Sequence, residues 1–527
     1  MAQMKTPGVY IVEKSAFPNS VVEAATAIPA FIGITEKAQN GPDSLSGKPW
    51  KITSMTEFQQ YFGGAPSPVF TLSVGEAPAE DEKVLFSIPS SDGTKALKVA
   101  DTENPFSLYY NMVMFFANGG GTCYIVSVGT YAEGAPVDKE KVVAALAALE
   151  KEQEITMVVV PEAAFTPDCK DIQGQMLAHC GKMMNRFAIL DVQPKAKANE
   201  VMSEQIDKFR TNVGANFLSY GAAYYPWLNT SVLSDKDIDG SVLVWADTSA
   251  PDLTPFFAPG SKFPKYFEET YSDIAAGKKV VKPAVTDETG AETEPAETAD
   301  CTPDEIAAMK NNLHNALLQN LPGYQYIVNR VKDRLNLLPP SAAMAGLYTM
   351  VDNTRGVWKA PANVSVNYVN SPTENIDNAQ QEDLNMPMNG KAVNAIRTFP
   401  GEGIKVWGAR TLDGNSQDWR YVNVRRTMIF LEESVKNAAK AYVFEPNVAA
   451  TWMNVKSMID NFLRSVWKRG GLAGSTPEDA YEIHVGLGDT MTANDILDGI
   501  MRVTVLVAIT RPAEFIEITF QQQMQKS

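Results

Sequence analysis

The run "PAEFIEITFQQQ", Pro512 to Gln523, decides how this chain is read. Ile516, Ile518 and Phe520 fall on one side; Phe515, Glu517, Thr519 and Gln521 fall on the other. Strict alternation with a period of two marks a half-buried β-strand. A chain terminus is ordinarily loose unless something ties it down. A well-made strand there requires a partner, inside the chain or beyond it. The N-terminal run "TPGVYIVEK" mirrors it, with Val9, Tyr10, Ile11 and Val12 forming a β-rich stretch after a Pro-Gly turn. The pattern therefore predicts a strand near each end.

The body between them spans most of 527 residues, enough for two or more domains with their own cores. Apolar residues at 45% and charged residues at 20% are ordinary for a globular protein. A net charge of -16 repels phosphate backbones and argues against nucleic acid as a partner. The four cysteines, Cys123, Cys169, Cys180 and Cys301, include no C-x-x-C pair. Cys169 and Cys180 share an apolar helical stripe with Ile172 and Met176 and read as buried core thiols. So few cysteines fit folding in a reducing compartment. "MAQMKTPGVYIVEKS" lacks the apolar core of a secretory signal. No run approaches the roughly 20 apolar residues of a membrane span, and "VTVLVAIT" (Val503 to Thr510) reads as a strand.

From about Ala25 to Met350 strands and helices alternate. "KVVAALAALEKE" is helical, "ITMVVVPEA" is a continuous apolar strand, and a helix follows from about Asp168 to Met184. "RFAILDVQP" and "ANFLSYGAAYYPWL" supply further strands. Strand, helix, strand in succession predicts a sheet with crossover helices. "TPDEIAAMKNNLHNALLQNL" opens with a capping box, Thr302 and Glu305, with Pro303 at the first helical position. Two stretches read as insertions: the turn-rich 66–99, and "VTDETGAETEPAETADCTPDE", an acidic segment expected to be a mobile solvated loop. After Asn389, "TMIFLEESVKNAAKAYVF" and "TWMNVKSMIDNFLRSVWKRGG" are long amphipathic helices, the second with Trp452, Val455, Ile459, Phe462 and Val466 on one face.

A constellation for catalysis is not visible. His179, His314 and His484 have no metal-ligand neighbours, and His179 and His314 read as packing residues of helices. "NGGGTC" and "GEGIKVWGAR" miss the phosphate-loop and dinucleotide spacings and read as tight turns. Glu432 and Glu433 are adjacent, so they do not face each other on a helix. Neither cofactor nor metal is expected, and the chain is not read as an enzyme. An α/β enzyme with an unrecognised site is the alternative.

Several stretches together resemble the contractile tail sheath proteins of phages, R-type bacteriocins and phage-like extracellular injection systems. They include "TPGVYIVE", "LYYNMVMFFANGGGTCYIVSVG", "YGAAYYPWL", "LPPSAAMAGLYTMVDNTRGVWKAPAN" and "VNAIRTFPGEGIKVWGARTL". "WRYVNVRRTMIFLEESV", "FEPN", "GLAGSTPEDAYEIHVGLG" and "RPAEFIEITFQQQ" follow in order. The likeness is densest from Leu338 onward.

The resemblance implies an α+β multidomain fold. Residues 1–24 are an N-terminal strand arm and 511–527 a C-terminal strand arm. Residues 25–355 form an outer α/β domain with variable insertions near 66–100 and 230–304, and 356–510 form the inner sheath domain. The arms are donated to neighbouring subunits through Val9, Tyr10, Ile11 and Val12 and through Phe515, Ile516, Glu517, Ile518, Thr519 and Phe520. The implied partners are other copies in a helical stack of hexameric rings, an inner tube protein, and baseplate and terminal cap proteins. Nucleic acid and direct membrane insertion are not among them. The tube-contact helix is expected at Trp452 to Arg469, with Lys456, Arg464, Lys468 and Arg469 toward the tube. Assembly in the bacterial cytoplasm precedes incorporation into a phage tail or phage-like particle.

Overall fold

A computed structural model describes residues 21–78, 83–101, 106–195, 200–247, 249–282, 285–286, 292–294 and 297–519, with backbone alone between 280 and 297. An all-apolar run such as "MVVVP" has no face to offer water, so it belongs in the middle of a sheet covered on both sides. Met157–Val159 takes that place, parallel to Pro29–Thr35 on one side and to Phe187–Asp191 on the other. Among the described residues this sheet has nine strands. Their order is Val364–Ser365, Gly403–Val406, Asn394–Phe399, Gly221–Tyr225, Phe187–Asp191, Met157–Val159, Pro29–Thr35, Cys123–Thr130 and Trp50–Ile52. The strands from Asn394–Phe399 to Cys123–Thr130 run parallel, and antiparallel strands close both edges.

Alternation sorts the sheet's side chains into two cores. Ala188 and Leu190 join one, with the helices Lys139–Leu149 and Cys169–Met183. Phe187 and Ile189 join the other, with Leu108–Ala117 and Ser341–Arg355. Cys169 and Cys180 are buried, and burial pushes both thiols up to about 12. The expected glycine turns are present: Gly119, at φ 94°, lies between Leu108–Ala117 and Cys123–Thr130, and Gly401 and Gly403 shape the hairpin joining Asn394–Phe399 to Gly403–Val406.

The boundary expected at 355/356 falls inside this sheet, since Val364–Ser365, Asn394–Phe399 and Gly403–Val406 lie beyond it in sequence. Val393 and Ala395 complete one core and Ile396 and Val406 the other, so the hairpin cannot be parted from the preceding 330 or so residues without opening both. The two insertions, by contrast, fold together. Phe70–Gly75, Ala96–Ala100 and Val84–Pro89 form a four-stranded sheet with Leu243–Trp245. Helices Phe263–Ala276, Pro303–Asn320 and Tyr324–Leu335 cover it through Phe267, Leu313, Leu317, Ile327 and Val331. The Thr302–Glu305 capping box forms as expected. Part of the acidic segment is a ribbon where a loop was expected: Lys278–Lys282 pairs antiparallel with Glu297–Asp300, setting Lys278 opposite Asp300.

A further core belongs to the C-terminal part. Val455, Ile459, Phe462 and Val466 of helix Ala449–Lys468 pack with Phe430, Leu431, Leu472, Tyr481 and Ile483. Trp452 of the expected stripe is only partly buried, and its indole N–H donates to Asn447 Oδ1 at 2.7 Å.

Two buried carboxylates cap the helices on one face of the large sheet. Asp191, at the end of its strand, accepts from the Ser341 N–H at 2.8 Å. Glu162 is 1% exposed and accepts from the N–H groups of Ile34 at 2.7 Å, Ser107 at 2.7 Å and Leu108 at 2.9 Å. Burial pushes Glu162 up to about 7, against the pull of those three donors. A Cβ on Gly33 would sit 2.6 Å from Glu162 Oε2, which explains a glycine in mid-strand. Glu162→Ala would strand three buried N–H groups. We expect a loss of about 3 kcal/mol or more, read as a lower denaturant midpoint at unchanged slope. An unmoved midpoint would mean that those donors find other partners.

Candidate assembly surface

Several segments that lie far apart in the sequence meet at the C-terminal core. Helix Val422–Ala439 carries Arg426, whose guanidinium donates to Asp352 Oδ1 at 2.9 Å and Oδ2 at 2.6 Å. The pair is buried, with side chains 4% and 1% exposed. Arg426 also donates to the Thr26 carbonyl at 2.9 Å and lies over the Tyr348 ring at 4.7 Å. Ser434 accepts from the Ala24 N–H at 2.9 Å, and Arg469 pairs with Glu23 while stacking 5.2 Å from the Trp358 ring centroid. Residues 23–26 are thus strapped across the seam between the large sheet and the C-terminal core.

Beside the seam lies a two-stranded antiparallel sheet, Tyr481–His484 with Thr504–Val507. Val505 and Val507 are half-buried on the C-terminal core, whereas Leu506 is 53% exposed. Among the described residues neither outer edge of this pair has another strand.

The C-terminal run departs from the body nearby. Phe515, Ile516 and Ile518 are 70%, 78% and 70% exposed, and Glu517 and Thr519 are exposed as well. Among the described residues, 511–519 form no strand and join no ladder in this chain, although the alternation predicts one. Val9, Tyr10, Ile11, Val12 and Phe520 lie outside the described residues.

What holds the departing run is Glu514, a residue whose role the period-two pattern does not reveal. Its carboxylate accepts from Arg410 Nε at 3.0 Å and Nη2 at 2.6 Å, from Asn385 Nδ2 at 2.8 Å and from Tyr421 Oη at 3.0 Å. Burial alone would raise this carboxyl, but Arg410, Asn385 and Tyr421 outweigh it and hold it below its ordinary value.

On helix Ala449–Lys468, Lys456 and Lys468 are exposed on the side away from the core. Arg464 lies on that side too, with Nη2 3.4 Å from Asp460. Arg469, at the helix end, is turned to Glu23 and Trp358. Met453 adds an apolar spot, 59% exposed. The expected stripe is therefore only partly brought together.

The three histidines lie apart from one another. His179 Nε2 lies 3.0 Å from Arg186 Nη1 inside the body, His314 Nδ1 lies 3.1 Å from Tyr324 Oη, and His484 sits at the surface near Glu482 and Asp489. Among the described residues no three His, Cys, Asp or Glu side chains are grouped to hold a metal ion, and no helix is long and apolar enough to cross a membrane.

This mixed α/β architecture is that of contractile sheath subunits. It is similar to the sheath complex of the PVC extracellular contractile injection system in its contracted state, at 26% identity and a TM-score of 0.57 over 99% of both chains. It is likewise similar to the contracted helical sheath of the anti-feeding prophage, at 25% identity and a TM-score of 0.57 over 99% of this chain and 100% of that one. Residues 415–523 match the phage tail sheath C-terminal domain. A curated relative, the tail sheath protein of Vibrio phage KVP40, is 25% identical over 178 residues, 33% of this chain and 25% of that protein. The chain thus matches about a quarter of that relative's length.

The Glu514 bonds make a pH prediction. A carboxyl held below its ordinary value of 4.5 contributes stability above that value and loses it as pH falls through the lowered one. The stability gap between the parent chain and Glu514→Gln should be present at neutral pH and close in acid below about 4.5. A gap that persists unchanged at pH 3 would contradict the ion-pair account.

Proposed function

We propose that the chain is the structural subunit of a contractile sheath, a polymer that surrounds a rigid tube and drives it through a target envelope when it shortens. The observation that carries this reading is the exposed period-two run leaving the body, together with a two-stranded sheet that has no third strand among the described residues. An open edge is a row of unmet backbone donors and acceptors and a template for an added strand. Each such bond contributes about 0.5–1.5 kcal/mol net. Burying Ile516 or Ile518 adds about 1.5–3 kcal/mol each. One donated run is then worth several kcal/mol. Donation from copy to copy is head-to-tail and builds open helices, not closed dimers.

In this reading residues 1–24 and 511–527 are the arms, Val9, Tyr10, Ile11 and Val12 serve as Phe515 to Phe520 do, and the arms keep neighbours joined as subunits rearrange. The energy of firing is released by closer packing of the wall. The exposed side of Ala449–Lys468 meets the tube, with Lys456 and Lys468 as exposed cations and Arg464 shared with Asp460. Rings of six, a baseplate and a terminal cap complete the particle, which assembles in the bacterial cytoplasm.

Ending the chain after Glu514, which keeps the contact with Arg410, should leave a folded, soluble monomer that forms no sheath. Normal polymers of that truncation in electron micrographs would defeat strand donation. Reversing the charge at Lys456 and Lys468 together should weaken co-sedimentation with the tube protein without preventing sheath polymers; undiminished co-sedimentation would remove the helix from the tube interface.

A further inference from the structure

We propose that Arg410 and Glu514 form a pivot that sets the direction in which residues 515–519 leave the body, so that the segment is held ready to join a neighbouring copy. This rests on the reading of that segment as a donated strand.

The carboxylate of Glu514 is located from three separate elements. Asn385 ends the helix Asn378–Asn385, Arg410 follows the hairpin strand Gly403–Val406, and Tyr421 immediately precedes the helix Val422–Ala439. Arg410 is itself fixed: its Nη1 donates to the Asn385 carbonyl at 3.2 Å and its backbone N–H to Asn394 Oδ1 at 2.7 Å. The side chains of Arg410 and Glu514 are 3% and 19% exposed. An exposed ion pair between two mobile side chains contributes little, but a two-pronged Arg–carboxylate contact on a buried guanidinium fixes orientation as well as position.

The anchor also crosses between units. Thr504–Val507 belongs to the small sheet on the C-terminal core, yet seven residues after its end the chain is gripped at the rim of the large sheet. The hold then ends abruptly, since Phe515 is 70% and Ile516 is 78% exposed. A segment gripped at residue 514 and exposed from 515 onward has a defined starting direction and a free apolar run. Defining the direction in advance reduces the ordering cost when a partner takes up the strand.

Removing Glu514 alone would strand a buried guanidinium and cost stability in its own right. The test therefore uses Arg410→Met with Glu514→Leu, which removes both charges, in the full chain. A nitroxide label is attached through Glu517→Cys in a Cys301→Ser background, because Cys123, Cys169 and Cys180 are buried. Against the same labelled background, the pair of substitutions should keep the thermal midpoint of the monomer, increase label mobility, and raise the concentration needed for polymers by about ten-fold or more. Unchanged label mobility, or polymers at the parent concentration, overturns the pivot. Tyr421→Phe removes one of the four bonds and leaves the ion pair, so it should shift mobility less in the same direction. No shift there also counts against the pivot, including where the double substitution fails to fold. The outcomes separate from those of the parent reading. If the chain ended after Glu514 still polymerises, strand donation falls; if it does not while the double variant polymerises normally, only the pivot falls.

Discussion

The helix Val422–Ala439 is the member on which the rest of the structure depends, because it is shared between cores. Val422 packs into one face of the large sheet, Ile429 into the other, and Phe430 and Leu431 into the C-terminal core. Its Arg426 ties the strap at residues 23–26 to Asp352, and Tyr348 beneath it meets Tyr224 of the sheet through hydroxyls 2.6 Å apart. Breaking a buried charge pair from one side costs about 3–5 kcal/mol, so the seam resists opening. The points where the described chain enters and leaves the body both lie along this helix.

That arrangement separates two mechanical roles. The large sheet is covered on both faces and cross-tied by buried carboxylates at helix starts, so it behaves as a rigid block. The small sheet has no third strand among the described residues, and the run after Glu514 exposes apolar side chains. Rigid bodies joined by exposed strands can change their mutual packing while staying linked.

Much of the fold was legible because its signals are local. The apolar strand at Met157–Val159, the stripe of Ala449–Lys468 and the Thr302 capping box each lie within one short window of sequence. The seam was not legible. A lone Arg426, Asp352, Glu162 or Glu514 has no pattern around it, and its meaning comes from partners hundreds of residues away or on another element. The boundary expected at 355/356 failed for a related reason: parallel pairing of Gly221–Tyr225 with Asn394–Phe399 joins distant segments and leaves no mark at either one. Lys456 and Lys468 could be placed on an outer helix face, whereas the turn of Arg469 toward Glu23 could not be foreseen.

The pairing of Phe70–Gly75 with Leu243–Trp245 has one more consequence. Two stretches far apart in the chain close on each other around a private apolar interior and leave the nine-stranded sheet intact. Such a cassette can be enlarged, trimmed or exchanged without retuning the large sheet that carries it.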